Sequence, residues 1–334
     1  MTNLKLLRVA AFAVAIALIV PVAVLAAAAP KTKVAVAYGF AGPGYDGMAH
    51  DGAVRAATDF RVKLIETVPT KQADLTQLAT RSDLVLAVGF GYQEAADAAA
   101  ASNPRTSFAV LDSVPYVASS NLLGTTLAAN EGSFLVGAAA AMASTTGQVG
   151  FIGGMDLPVI FEFQAGFVPG VSSQDPSASV AVAYVSLFPD FSGFNDPARA
   201  YEIAMGMYES GIDVIYHAAG NSGIGLFEAA RDYSQAHGKV WAIGVDTDQY
   251  LEVAGDLQPY ILTSMIKRID VVTYDIIASQ VQGTFTGGIE RWDLSRNGVD
   301  YATSGGFVDD MVPVLEVLKQ NIIGGLITVP TELP

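Results

Sequence analysis

Short, uninterrupted apolar runs recur along this chain, each followed by a segment of helical character, and that alternation limits the folds open to it. Residues 34–40, 62–68, 84–90 and 107–114 read as strands, with helices expected at about 46–60, 74–81 and 93–101 between them. These runs are apolar throughout instead of alternating in and out. Strands covered by helices on both faces have that character, which implies parallel pairing. The pattern then restarts. Asn130 is placed to cap a helix through Met142, and strands are expected at 149–155, 179–186, 213–219, 240–246 and 260–266. Helices fall at about 160–170, 197–210, 224–236, 270–281 and 308–323, and a short last strand at 327–329. Two β/α series without a shared sequence period predict an α/β chain of two doubly wound parallel-sheet lobes.

One chain threading two lobes must cross between them. Three stretches suit a multi-strand hinge: 126–130, 264–267, and the glycine-rich polar segment 283–306. The division expected is a first lobe of 31–125 plus about 267–287, and a second of 126–266 plus about 288–334. Ahead of both, Lys5 and Arg8 precede an apolar run from Ala10 to Ala29 that ends in small residues at Ala26, Ala27 and Ala28. That order reads as a secretory signal peptide over 1–30. Twenty apolar residues also suffice for an uncleaved anchor, although Pro21 and the alanine-rich end favour cleavage. On either reading the body of the chain is exported to a periplasmic or other extracytoplasmic space.

Composition narrows the function. Of 334 residues, 51% are hydrophobic and 15% charged, enough to bury a large core. The 33 acidic residues against 18 basic ones give a net charge of −15, a field that repels nucleic acid. Removal of residues 1–30 takes away two basic residues and no acid, leaving −17. Absence of cysteine removes disulfides, thiolate metal sites and cysteine nucleophiles, and three histidines make a His-rich metal site unexpected. No cofactor is expected. The enzymatic motifs also fail. No Gly-x-x-x-x-Gly-Lys-Ser/Thr is present, and the loop from Gly39 to Gly44 lacks Gly-x-Gly-x-x-Gly spacing while Pro43 removes an amide. Gly220-Asn-Ser222-Gly223 is not a nucleophile elbow. Asp246-Thr-Asp248 opens like a calcium loop but has Leu251 and Leu257 where a glycine and the last ligand belong.

What remains is a set of polar and aromatic residues at carboxyl ends of expected strands, where open α/β sheets bind ligands. Tyr45 and Asp46 follow the first strand, and Asp112 ends the fourth. Tyr216, His217 and Gly220 close another, Asp246 ends 240–246, and Lys267 follows 260–266. Two phenol rings can sandwich a flat heterocycle. Carboxylates can accept from paired hydroxyls while Lys267 offsets their charge. Each residue has a plainer use as well: Tyr216 in the core, Asp112 or Asp246 as a helix cap, Lys267 beside Arg268 as a solvated pair, His217 as a buried neutral ring.

The same residues lie within a family resemblance. The chain resembles the basic membrane protein family of ABC-transporter solute-binding proteins, the purine nucleoside receptor group. The likeness spans Val34 to about Pro330 and is carried by Asn130-Glu-Gly-Ser-Phe-Leu-Val-Gly137, Val149-Gly-Phe-Ile-Gly-Gly-Met155 and Gln164-Ala-Gly-Phe167. Gly244-Val-Asp-Thr-Asp-Gln-Tyr250, Leu262-Thr-Ser-Met-Ile-Lys-Arg268 and Asn321-Ile-Ile-Gly-Gly-Leu-Ile-Thr-Val-Pro330 add to it. It implies a type I periplasmic-binding-protein fold whose two lobes close on a nucleoside, with purine favoured. By that resemblance Tyr45 and Tyr216 sandwich the base and Asp46 addresses its edge. Asp112, Asp246 and Lys267 hold the ribose, Gly220 gives a backbone contact, and Phe90 lines the pocket. The chain departs from the family in a shortened loop, Gly42-Pro-Gly-Tyr-Asp46, in having Asp46 where Asn is usual, and in lacking the cysteine of a lipid anchor.

The expectation is therefore a monomeric, exported binding protein that delivers a nucleoside to an ABC permease in the inner membrane and does no chemistry on it. Alternatives are a receptor for a flavin-like heterocycle or a sugar, and a sensory ligand-presenting module. A further alternative is a secreted nucleoside hydrolase using Asp46 and Asp112 as acid/base groups.

Overall fold

The computed structural model describes residues 31–39, 43–67 and 74–334; the expected signal peptide lies outside the described residues. The chain begins with β1 (Lys33–Ala37), α1 (Pro43–Phe60), β2 (Lys63–Thr67), α2 (Leu75–Ala79), β3 (Leu84–Val88), α3 (Gln93–Ser102), β4 (Ser107–Leu111) and β5 (Leu122–Leu127). It continues through α4 (Ala129–Ala143), β6 (Gln148–Met155), α5 (Pro158–Gln174), β7 (Ser179–Ser186), α6 (Pro197–Glu209), β8 (Val214–Ala218) and α7 (Gly223–His237). It ends with β9 (Trp241–Gly244), α8 (Gln249–Glu252), β10 (Ile261–Lys267), α9 (Ile269–Gln282), β11 (Gly288–Trp292), β12 (Val299–Tyr301) and α10 (Val312–Ile323).

Two six-stranded sheets result, ordered β11-β5-β4-β3-β1-β2 and β12-β10-β9-β8-β6-β7. Every pairing is parallel except β10 with β12. The central strands are apolar on both faces because helices cover both: β3 is buried along its whole length, as is β8. Local chemistry sets the helix starts. The Asp74 carboxylate accepts from Gln77 N–H, and Asp196 does so from Arg199 N–H with Pro197 in the first turn of α6.

The chain changes sheets three times: from β5 into α4, from β10 into α9, which packs on α1, and from β11 into β12. Three of these strands lie outside the expectation. β5 is interrupted by Gly124-Thr-Thr126, β11 carries Glu290 and Arg291 at the sheet edge, and β12 has three residues, so none reads as a continuous apolar run. Because β11 pairs with β5, residues 288–292 belong to the first lobe's sheet and not to the second lobe, a correction to the division at 287. Residues 327–329 form no strand.

Asn130 is also corrected. It does not cap α4, whose N-cap is Ala128; it lies inside the helix, fully enclosed. Its amide donates to Val329 O at 2.9 Å and its oxygen accepts from Arg291 at 2.7 Å, while Arg291 also reaches Glu162 at 2.6 Å. One asparagine thus ties the crossing strand β11 and the C-terminal segment to the start of α4. Glycines make the α4–α5 packing close. A Cβ on Gly166 would strike Asn130 O, and one on Gly170 would strike Phe134 O.

Candidate functional site

The carboxyl ends of β4, β9 and β10 converge. Asp112 directly follows β4 and Asp246 lies two residues past β9, both with left-handed backbones of φ 60° and 66°. Asp tolerates that conformation better than most residues, yet it is a strained choice of the kind found at working sites. Lys267 is the last residue of β10 and is 4% exposed. Its Nζ donates to Asp112 Oδ2 at 2.7 Å, lies 3.6 Å from Asp246 Oδ1, and sits 5.0 Å from the Phe163 ring centre. Burial alone pushes the ammonium down; the carboxylates of Asp112 and Asp246 outweigh it and hold Lys267 above its ordinary value. Burial also pushes Asp246 up, against the opposing pull of Lys267.

Tyr45 and Asp46 enter from the first turns of α1. The Tyr45 ring is buried and its hydroxyl has no partner in hydrogen-bond geometry. Burial, then the nearby charges of Asp112 and Asp246, push that phenol well up. Asp46 is half-buried; burial raises its carboxyl, and a backbone hydrogen bond from Gly39 offsets this in part. Its Oδ1, like Asp246 Oδ1, is buried without a hydrogen-bond partner among the described residues. Tyr45, Asp112, Asp246 and Lys267 therefore form one group between the sheets, and Asp46 stands beside it as the chain neighbour of Tyr45. A Cβ on Gly44 would strike Glu252 of α8, so the lobes touch beside it. Next to this contact a cavity of about 420 Å³ runs between α1 and the second lobe, bordered by Arg55, Asp248 and Arg268.

Tyr216 stands behind that group, near enough for the Asp246 charge to act on its phenol. It sits mid-strand in β8, 0% exposed, with Phe151 and Phe167 against its ring at 5.6 and 5.2 Å between centroids. Its hydroxyl pairs with Ser133 Oγ at 3.1 Å. The residue expected to sandwich a base is packed in this structure against α4 and α5. Phe90 stands in a 3-10 turn after β3 and is 67% exposed. Gly220 opens the turn after β8 with φ 54°. Beside it lies an aromatic that the sequence reading missed: Phe194, partly buried, packs its ring against Gly154 at the end of β6 and its backbone near Gly220. A cluster of Phe188, Phe191 and Phe194 in the loop after β7 was the available signal.

His217 is buried and neutral at pH 7, pushed down to about 4 by burial. Its Nε2 is 3.0 Å from Gln249 Oε1, which also accepts from Val245 N–H at 2.8 Å. An oxygen already accepting assigns the imidazole as donor there. His217 thereby positions α8 against β9.

Among the described residues there is no cluster of three or more His, Cys, Asp or Glu side chains able to hold a metal ion, and no helix is long and apolar enough to cross a membrane.

Comparison with known proteins agrees with this architecture. Solute-binding proteins of ABC transporter systems from Aeropyrum pernix and Conexibacter woesei superpose with TM-scores of 0.70 and 0.71. Their identities are 24% and 21%; each alignment covers 90% of this chain, and 94% and 99% of theirs. These likenesses establish the type I periplasmic-binding-protein fold. By sequence, the chain is 36% identical to the ABC transporter nucleoside-binding protein BmpA of Lactococcus lactis subsp. cremoris, over 75% of this chain and 71% of that one. Basic membrane protein A of Borreliella burgdorferi is 26% identical, over 86% and 84%. Residues 30–332 match the Bmp family, described as ABC transporter substrate-binding protein, PnrA-like. This chain therefore belongs to the PnrA-like family of ABC transporter substrate-binding proteins.

Proposed function

We propose that the chain is an exported receptor that encloses one nucleoside, a purine nucleoside, between its lobes and passes it unchanged to an ABC permease. The observation that carries this reading is a set of buried polar atoms without a hydrogen-bond partner among the described residues: Tyr45 Oη and Asp246 Oδ1 in the Lys267 group, and Asp46 Oδ1 next to Tyr45. Buried polar groups are nearly always satisfied, so these acceptors call for donors from a ligand. A ribose diol suits Asp112, Asp246 and Lys267, since each hydroxyl can donate to a carboxylate while accepting from the ammonium. Tyr45 supplies one aromatic surface, and Phe194, in place of Tyr216, supplies the second.

Charge supports a nucleoside over a nucleotide. Two carboxylates face Lys267 here, and a phosphate beside them would add repulsion. Lobe closure would then be the whole mechanism, with the closed face presented to the permease. The nucleoside-binding relative supports the ligand class.

The test is isothermal titration of the purified full chain, unfolded and refolded to strip bound ligand, against adenosine, guanosine, inosine, cytidine, riboflavin and ribose. Tight binding of a purine nucleoside, recovered intact by chromatography, is expected. Binding of riboflavin or ribose alone, release of free base, or no binding at all would overturn the reading.

A further inference from the structure

A sheet edge offers unpaired backbone groups to any passing strand, and proteins usually guard it with charge, proline, a bulge or a covering element. Among the described residues the two sheets have four edges, and three of them carry charge. β2 has Lys63 and Glu66, β11 has Glu290 and Arg291, and β12 is three residues long with Asp300 at its centre. β7 is the exception. Its eight residues, Ser-Val-Ala-Val-Ala-Tyr-Val-Ser, include no charge, proline or glycine, and within the sheet it pairs with β6 alone. Val182, at its middle, is 39% exposed. The loop that follows leaves Leu187, Phe188 and Phe191 more than half exposed, so the apolar strip continues from the strand into the loop.

We propose that the β7 edge is an interface between two copies of this chain, paired antiparallel about a twofold axis at Val182, in place of the monomer expected from the sequence. A strand paired with itself sets residues equally distant from the axis opposite one another. Val182 then meets Val182, Val180 meets Tyr184, and Ala181 meets Ala183. β-Branched and aromatic pairs of this kind stabilise antiparallel ladders, and no like charges are brought together. Beyond the strand, Leu187 and Phe188 of one copy pass Ser177 and Pro176 of the other, which extends apolar contact to both ends. Charge favours a second copy as the occupant of this edge and no other: each chain carries −15, so two copies repel over most of their surface and meet best where neither is charged. The size is sufficient. Eight residues give about 27 Å of edge. α5 flanks it on one face, where Phe161 packs on Tyr184, and α6 on the other. Three layers about 10 Å thick make a face of roughly 800 Å² per copy, the size of a standard stable interface. β7 is the outermost strand of its sheet, so pairing there leaves Lys267 and the cleft strands free, and the dimer does not depend on which ligand the cleft takes.

Sedimentation equilibrium of the full chain tests it, and should give a doubled mass that falls to that of one chain on dilution. Val182→Lys sets two ammonium groups face to face and should give a monomer with an unchanged circular dichroism spectrum; Val182→Glu should do the same with two carboxylates. Mixing the two variants in equal amounts places opposite charges at the axis and should restore the doubled mass, which neither a different interface nor a folding defect would produce. Hydrogen exchange on the unsubstituted chain gives a second reading: amides of residues 179–186 should gain protection as concentration rises. A parent chain that stays monomeric overturns the proposal, as does a folded Val182→Lys protein that dimerises like the parent. Mixed variants that remain monomeric overturn it as well. Protection of 179–186 that does not change with concentration would mean that the chain covers its own edge, and overturns it too.

Discussion

Lys267 Nζ lies 2.7 Å from Asp112 Oδ2, which joins the last residue of a strand in the second sheet to the end of a strand in the first. The lysine side chain is 5% exposed, so water screens this pair little. Asp246 approaches from the same sheet as Lys267, 3.6 Å away. Each sheet thus contributes one carboxylate to a shared cation, and without that cation the two acidic strand ends would repel across the cleft. The ammonium is at once an anchor for a ligand and the link that lets the acidic edges meet.

Lys267→Met should be costly for both reasons. Removing one partner of a buried ion pair leaves uncompensated charge and typically costs about 3–5 kcal/mol. The lysine's pKa is raised in the fold, so its stabilisation is complete below the unfolded value of about 10.4 and is lost only as pH rises through the folded value. Thermal melting should show a lowered Tm of similar size anywhere between about pH 7 and 9, with nucleoside affinity abolished. An unchanged Tm with unchanged affinity would refute the linking role.

Substitution of Asp46 should raise stability where that of Lys267 lowers it. Its folded pKa is raised, chiefly by burial, so the stability tied to it is present below about pH 3.9 and is lost as pH climbs through the folded value. Asp46→Asn does not ionise and escapes that loss. The ligand-free variant should melt higher than the parent at pH 7, and the gain should vanish near pH 4 and below. Paired melting curves at the two pH values measure it. Such a gain is the usual mark of a residue kept for binding at some expense to stability.

Much of this was legible in the sequence because the central strands are buried on both faces and so announce themselves as apolar runs. Strands β5, β11 and β12 were not, since edge position and polar or glycine content erase the run. The polar members of the site were legible for a similar reason: Asp112, Asp246 and Lys267 stand at strand ends, where the chain leaves the core. Aromatic roles were harder to read. Tyr216 lies mid-strand in β8 and Phe194 in the loop after β7, and sequence alone does not show that the first packs against α4 and α5 while the second lies beside Gly220. Asn130 misled by chemistry, because an asparagine at a helix start is more often a cap than a tether.

Two glycines in helices should respond in opposite directions. A side chain at Gly170 of α5 would run into the Phe134 carbonyl of α4, which cannot move without shifting the helix, so Gly170→Val should cost at least about 1–3 kcal/mol. At Gly206 of α6 a Cβ meets nothing within 4 Å, and Gly206→Ala should gain about 0.5–1 kcal/mol from helix propensity alone. Urea denaturation of both variants gives the comparison. Equal effects at the two sites would mean that α4 and α5 are not held at the separation seen here.

The two candidate aromatics separate most cleanly by paired substitution. Tyr216 is enclosed by Phe151 and Phe167, so Tyr216→Ala empties a core volume and should cost about 3–5 kcal/mol. Tyr216→Phe keeps the ring and removes only the hydroxyl that meets Ser133, a change of about 1 kcal/mol, and should leave ligand affinity untouched. Phe194 is partly exposed, and its ring covers Gly154 without being locked in the core. Phe194→Ala should therefore cost less in Tm than Tyr216→Ala while weakening nucleoside binding by about tenfold or more, as the loss of a stacking partner worth about 1–3 kcal/mol per base requires. Unchanged affinity in a folded Phe194→Ala protein would remove Phe194 from the stacking role and leave Tyr216 as the second aromatic face.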